Sequence, residues 1–296
     1  MYPPTSFDLL KTMDMIVCVR CHRHVEVTPY VENKEILEGT LTCKNCEIVY
    51  PILYGIPIMW NDLTAYLSNR QRLGGELFSS VQSPQLKSLI KNALCKASKN
   101  NDLSLIEKRW TEVYLQNQKS KFYDYIIKST DENYDSVLEH GCSIGIVSRH
   151  LSKKSSKVFG IDKSFYAIME AKKLGLGNVE FVIADSLDNP FGDVKFEMIL
   201  GLNLFEIIEP KQLIQLISTQ IQKNGKLILS DPYDYDRGTR TVKEPLYADT
   251  LRDELVKHGF AISSNTKKSS RIPWDLKLHD RAKLQYLVDL VIAHKV

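Results

Sequence analysis

The chain has 296 residues, 43% of them hydrophobic and 25% charged, with a formal net charge of +3. That composition excludes a disordered chain, and the length allows one large domain or two modest ones. No run approaches the roughly 18 uninterrupted apolar residues of a membrane span, because the best candidate, residues 48–60, is broken by Pro51, Gly55 and Pro57.

The first fifteen residues carry Asp8, Lys11 and Asp14 in place of the basic start and apolar stretch of a secretory signal, so a cytoplasmic, reducing setting is expected. In that setting six cysteines need an explanation other than a disulfide framework. Four of them form Cys18-x-x-Cys21 and Cys43-x-x-Cys46, two tight turns separated by 21 residues, a spacing that brings four thiolates onto one tetrahedral ion. The expectation is a closed, structural Zn²⁺ site with no role in activating water. Around it, residues 16–60 read as short strands and turns with no helical period. The first 62 residues hold five Lys/Arg against eight Asp/Glu, and four thiolates on one Zn²⁺ add about −2 more, a poor grip for phosphate.

The run after the second cysteine pair, with Tyr50-Pro51-Ile52 and Gly55-Ile56-Pro57, resembles the zinc-ribbon family of small activator subunits that bind tRNA and release-factor methyltransferases. The resemblance covers roughly residues 16–62 and implies a module that docks on a methyltransferase domain or on another protein partner.

Residues 63–130 change to helical spacing, with Leu86, Leu89, Ile90 and Leu94, then Trp110, Val113 and Tyr114, then Phe122, Tyr125 and Ile126. Within them, residues 71–84, containing Gly74-Gly75, are expected to be a flexible connection. Residues 84–130 hold nine Lys/Arg against four Asp/Glu, a modestly basic stretch. Trp110 and Tyr114 are candidates for a lid on a cofactor site.

From about residue 135, strands expected at 136–139, 158–161, 179–183, 196–200 and 226–229 alternate with helices at 144–151, 165–174 and 210–221. A helix at 247–258 and strands at 260–263 and 287–293 follow. Such alternation gives an α/β fold built on a parallel sheet with helices on both faces. The first strand runs into Glu139-His-Gly-Cys-Ser-Ile-Gly145, a glycine-rich bend that lets backbone amides approach a ligand. About 20 residues on, Asp162 ends the second strand, placed to accept from ribose hydroxyls, and Asp185 ends the third, beside Ser186, placed for an adenine ring. His140, Cys142 and Cys95 read as packing residues, the two thiols buried.

This order of strand-end groups is similar to the class I S-adenosylmethionine-dependent methyltransferases over about residues 135–296, with a mostly parallel sheet and an antiparallel last strand. The resemblance implies S-adenosyl-L-methionine as cofactor. It is carried by Glu139, Gly141 and Gly145 of the first motif, with Ser143 where a glycine is usual, and by Asp162, Asp185, Ser186 and Asn203. The chain therefore divides into a zinc ribbon (1–62), a helical connector and lid (63–130) and a methyltransferase domain (131–296).

The loop after the fifth strand, residues 230–237, is dense in polar and aromatic groups, and Asp231, Tyr233 and Asp234 are candidates for positioning the acceptor. The insertion at 265–285, with Trp274, is a second element able to fold over the acceptor. The reading is a methyl transfer by in-line displacement to a small molecule or a protein side chain. The alternatives are a tRNA or rRNA acceptor and a non-catalytic docking or activator protein.

Overall fold

The computed structural model describes residues 15–98, 101–236 and 242–296. Its first unit is an antiparallel meander of β1 (Glu26–Glu32), β2 (Ile36–Cys43), β3 (Ile48–Leu53) and β4 (Ile56–Pro57), ordered β1-β2-β3-β4. Tyr54 and Gly55 join β3 to β4 with φ of 55° and 71°, the two left-handed residues of a tight primed turn.

Five helices follow, α1 (Leu63–Ser68), α2 (Gln71–Ser80), α3 (Pro84–Lys96), α4 (Ser104–Gln116) and α5 (Lys121–Ser129). Asp62 opens α1 by accepting from the Thr64 amide at 2.8 Å. The stretch expected as a flexible connection is mostly α2. Gly74 faces Leu94 so closely that a Cβ would lie 2.5 Å from its Cδ2, so the glycine admits a neighbouring helix and does not break its own. Leu73 and Leu77, one turn apart, supply the buried stripe that holds α2 in place.

The main sheet comprises β5 (Tyr134–His140), β6 (Ser155–Asp162), β7 (Val179–Ile183), β8 (Phe196–Leu202), β9 (Ile221–Asp231), β10 (Phe260–Ile262) and β12 (Ala282–Lys295), with β11 (Ile272–His279) hairpinned onto β12. Helices α6 (Ile146–Leu151), α7 (Phe165–Lys172), α8 (Pro210–Gln220) and α9 (Ala248–Lys257) are interleaved. The strand order is β7-β6-β5-β8-β9-β12-β10; the pairs from β7 to β9 are parallel, and β12 is antiparallel to both neighbours. The expected mostly parallel sheet with an antiparallel last strand is what the chain forms. Successive residues face opposite ways: Val137, Val158 and Ile228 join one core, with α6, α7 and the helices of residues 63–129, while Leu138, Phe159 and Leu227 join the other, with α8 and α9.

The meander lies along the β7 edge. Ile58 bridges Ile183 in parallel, the Met59 amide donates to the Ile183 carbonyl at 2.7 Å, and the Val17 amide donates to the Pro190 carbonyl at 2.8 Å. Leu53, Ile56 and Ile58 pack into the first core and Tyr50, Ile52 and Met59 into the second, so the ribbon straddles the sheet. Glu38, only 7% exposed, fixes the following helix, its carboxylate accepting from the Gln82 and Ser83 amides at 2.7 and 2.8 Å ahead of α3.

Candidate active site and metal centre

The strand order reverses between β5 and β8, and a cavity of about 590 Å³ opens beyond their carboxyl ends. That is where open α/β sheets leave room for a ligand, and the volume suits a nucleoside-sized one. Glu139, Gly141, Ser143, Asp162 and Asn203, all expected in the site, line it.

The turn from β5 to α6 is built from three left-handed residues, Gly141 (φ 65°), Ser143 (φ 49°) and Gly145 (φ 72°). Ser143 thus adopts the conformation its glycine counterpart would hold. A Cβ on Gly141 would lie 2.3 Å from Leu204 Cδ2 and would have to hold a φ of 65°, so any side chain there would displace Leu204 and strain the backbone. Asp162 anchors the turn, accepting from the Ser143 amide at 2.9 Å and from the Ser164 amide at 2.8 Å. Burial pushes its carboxyl above the usual range against those amides. Each carboxylate oxygen retains a second lone-pair direction for a hydroxyl. Glu139 is 3% exposed, accepts from the Ser148 hydroxyl at 2.5 Å, and is pushed up to about 7 by burial. Asn203, also left-handed at φ 56°, is held through its amide and Oδ1 by Ser230, at 2.7 and 3.0 Å.

The opposite wall comes from α4, α5 and β11. Leu103, Ile106, Glu107, Trp110, Thr111 and Tyr114 all face the cavity, at the spacing of one helical stripe. Trp274 on β11 packs parallel to Tyr114, with planes at 4° and centroids 6.2 Å apart, and against Phe122 at 5.3 Å. Both lid candidates and Trp274 therefore stand at the cavity. Glu107, Thr111, Tyr123, Glu206 and Tyr235 line it too, though sequence reasoning did not single them out. The stripe through Trp110 and Tyr114 contained the signal for Glu107 and Thr111.

The other expected residues are placed differently. Asp185 and Ser186 follow β7 outside the cavity wall, where Asp185 caps the Leu187 amide at 2.9 Å. Gly145 forms the N-terminal cap of α6 behind the wall. Asp231 is fully buried and accepts from the Phe205 and Tyr233 amides at 2.9 and 2.7 Å. Tyr233 donates to Asp289 at 2.8 Å, and that carboxylate pairs with Arg252 at 2.8 Å. None of Asp231, Tyr233 and Asp234 lines the cavity, because the loop turns back into the β9–β12 core. Residue 237, the last of that loop, lies outside the described residues. His140 is buried against Gln220 at 3.1 Å and Cys142 is buried, both as expected, whereas Cys95 is exposed on α3.

At the ribbon end, the ligand atoms of Cys18, Cys21, Cys43 and Cys46 lie within 4.8 Å of one another. Tetrahedral Zn–S bonds of about 2.3 Å need sulfurs about 3.8 Å apart, and Cys21 and Cys43 stand at 3.5 Å. Each pair is followed by a left-handed residue, His22 (φ 53°) or Glu47 (φ 56°), which closes the knuckle. The Arg23 backbone draws the Cys21 thiol down to about 6, while sharing with Cys21 pushes Cys46 up to about 12. The four sulfurs fit one metal ion.

Comparison with known proteins agrees with this geometry. Residues 137–225 match the model of a methyltransferase domain, and residues 10–53 match that of a Trm112p-like protein. No curated protein gives a significant match. Among solved structures, the chain is similar to the complex of the Haloferax volcanii Trm112 methyltransferase activator with a methyltransferase (12% identity, 64% of this chain, 96% of that chain, TM-score 0.52). It is also similar to magnesium protoporphyrin IX methyltransferase from Synechocystis with bound S-adenosylmethionine (17%, 64% and 90%, TM-score 0.48). The N-methyltransferase NodS of Bradyrhizobium japonicum matches at 12% identity, over 62% of this chain and 97% of that one, with a TM-score of 0.46.

Sheet order and glycine turn define a class I methyltransferase fold. More particularly, one polypeptide joins a segment that matches a methyltransferase domain, residues 137–225, to one that matches a Trm112p-like protein, residues 10–53.

Proposed function

We propose that the chain binds S-adenosyl-L-methionine in the cavity beyond β5 and β8 and transfers its methyl group to a small-molecule or protein side-chain acceptor by in-line displacement. The observation that carries this reading is the Asp162 carboxylate, half-buried at the strand end, with one oxygen on the Ser143 amide of the glycine turn, the other on the Ser164 amide, and a face toward the cavity for ribose hydroxyls. Glu139, Gly141, Ser143 and Asn203 would complete the cofactor cradle, with Gly145, Asp185 and Ser186 supporting it from outside the wall. When bound, the cofactor supplies a methyl group already activated on sulfur, so the protein's work is alignment and exclusion of water. The wall of α4, α5 and β11 supplies both.

We assign the four cysteines to a structural Zn²⁺, and the thiolates it needs suit a reducing cytoplasm. In the Haloferax structure the activator is in complex with a methyltransferase; here the related module sits against the β7 edge of its own chain. The division into ribbon (1–62), helical connector (63–130) and methyltransferase domain (131–296) is the functional one in this reading.

Calorimetry with S-adenosylmethionine tests the proposal. Micromolar binding by the wild type and at least tenfold weaker binding by Asp162→Ala are expected; equal binding by both would sink it. Incubation with labelled cofactor and a cell extract separated into metabolites, protein and RNA then places the acceptor, and label in RNA would favour the nucleic-acid reading.

A further inference from the structure

We propose that Tyr123 is a cofactor-binding residue whose phenolic hydroxyl donates to the carboxylate at the amino-acid end of S-adenosylmethionine. This rests on the methyltransferase reading above and deepens it, assigning a contact to the end of the cofactor remote from the Asp162 carboxylate.

Three observations place the residue. Tyr123, in the first turn of α5, lines the cavity and packs with Tyr114 against Ile144, Ile146 and Ala167. Ile144 and Ile146 flank Gly145, so the ring lies over the turn from β5 to α6. Its backbone amide is taken up by the Ser120 hydroxyl at 3.4 Å, but its own hydroxyl has no hydrogen-bond partner among the described residues. Unlike the sealed indole N–H of Trp274, that oxygen keeps accessible surface. Burial pushes the phenol well up, and Tyr114 and Glu139, both of the cavity wall, add to the shift. The hydroxyl therefore faces the cavity and keeps its proton at neutral pH, as a donor.

The charges of the wall decide which end of the cofactor meets it. Lys163 is the one cation lining the cavity among the described residues, and it acts on its neighbour Asp162 and on Glu107, at the ribose side. Arg70 is already paired with Glu107 at 2.6 Å. With the ribose at Asp162, the amino-acid end runs along the glycine turn, where no cation stands. A carboxylate there depends on neutral donors, and a hydrogen bond from such a donor to a charged oxygen is stronger than a neutral pair. Glu139 faces the same hydroxyl, yet it takes its hydrogen bond from Ser148 at 2.5 Å and is pushed up to about 7 by burial, so the phenol proton remains free for the ligand. Phe122 meets the Tyr123 ring edge-on, with centroids 5.3 Å apart, which holds the ring in place. Position 123 falls between the two segments that match family models, so the helical connector supplies this contact.

The test is calorimetry on the full chain and on Tyr123→Phe, which keeps the ring and its packing and removes only the hydroxyl. The ligands are S-adenosylmethionine, decarboxylated S-adenosylmethionine, which retains the ammonium, and 5′-methylthioadenosine, which lacks the whole amino-acid end. The variant is expected to bind S-adenosylmethionine at least about tenfold more weakly than the wild type, and the other two ligands with unchanged affinity.

An unchanged affinity for S-adenosylmethionine overturns the proposal. So does an equal loss for all three ligands, which would make Tyr123 a packing residue, or an equal loss for the two sulfonium ligands alone, which would put the contact on the ammonium. In each of those cases wild-type binding leaves the methyltransferase reading standing. Should the variant fail to fold, the wild type carries the question: equal affinity for S-adenosylmethionine and its decarboxylated form overturns the proposal, and at least tenfold tighter binding of the former supports it. A wild type that binds none of the three brings both readings down.

Discussion

Ser143 holds a left-handed backbone at φ 49°, a conformation that costs a residue with a Cβ about 1–2 kcal/mol. The strain is sustained because the Ser143 amide must point at Asp162. Ser143→Gly is accordingly expected to raise stability in urea unfolding by about 1 kcal/mol. Asp162→Ala removes the acceptor from two amides and is expected to lower stability as well as cofactor affinity. His140 gives a pH signature. Burial pushes its pKa from 6.5 down to about 4, so between those values the unfolded chain binds a proton that the folded chain refuses. Stability from this residue is complete above about 6.5 and falls as pH drops toward 4, by about 3 kcal/mol in all. Glu139, pushed up to about 7, acts with the opposite sign, since its folded form keeps a proton that the unfolded chain has released. The clean measurement is therefore the difference between wild type and His140→Asn. That difference should shift against the wild type by about 3 kcal/mol between pH 7 and pH 4 in denaturant titrations, and a pH-independent difference would show that His140 charges within the fold. Asp162 was readable from sequence because a strand end beside a glycine turn leaves its carboxylate few other places. Asp231 does not line the cavity, because strand-end position gives depth along the sheet but not which way the loop turns. Two amides and the neighbouring Asp289–Arg252 pair draw that loop inward.

At the scale of elements, α4 supplies one wall of the cavity, across from the glycine turn. Its stripe through residues 103, 106, 107, 110, 111 and 114 is apolar except for Glu107 and Thr111. Glu107 is tolerated there because Arg70, itself 3% exposed and 4.4 Å above the Tyr66 ring, reaches across from the end of α1 to meet it in a forked contact. Glu107→Gln leaves that guanidinium buried without its counter-charge, and the expected loss is about 3–5 kcal/mol, read as a lowered urea midpoint. Replacing both residues together by apolar ones of similar volume should cost much less, which a double-mutant comparison would show. Helical period made α4 legible, but two other elements were hidden. The glycine pair in α2 signals a break to any local rule, yet the buried Leu73 and Leu77 hold the helix and Gly74 lets Leu94 approach it closely. The β11 strand contains Pro273, which suggests a loop, yet β11 pairs with β12 alone and lies off the sheet's main path, where a missing N–H is tolerated.

Over the whole molecule, the ribbon closes one side of the main sheet. An uncovered β7 would present a row of unpaired backbone groups, a known route to aggregation, and Ile58 and Met59 occupy it. The two cores both continue into the ribbon, so the cysteine cluster and the glycine turn belong to one packed body. Zinc binding is worth about 10–16 kcal/mol in small zinc-finger peptides, comparable to or above the whole stability of an ordinary domain. Its removal should therefore unfold the ribbon and take the β6–β7 side of the cradle with it, because Asp162 ends the strand next to that edge. The expected outcome on chelation, or in Cys43→Ser, is one cooperative thermal transition at a lower temperature, with at least tenfold weaker S-adenosylhomocysteine binding below it. A separate early transition that leaves the main one and cofactor affinity untouched would instead make the ribbon a tethered passenger. The contacts at Ile183 and Pro190 argue for the first result, since they tie the module to the strand beside the one that ends in Asp162 and to the loop that follows it.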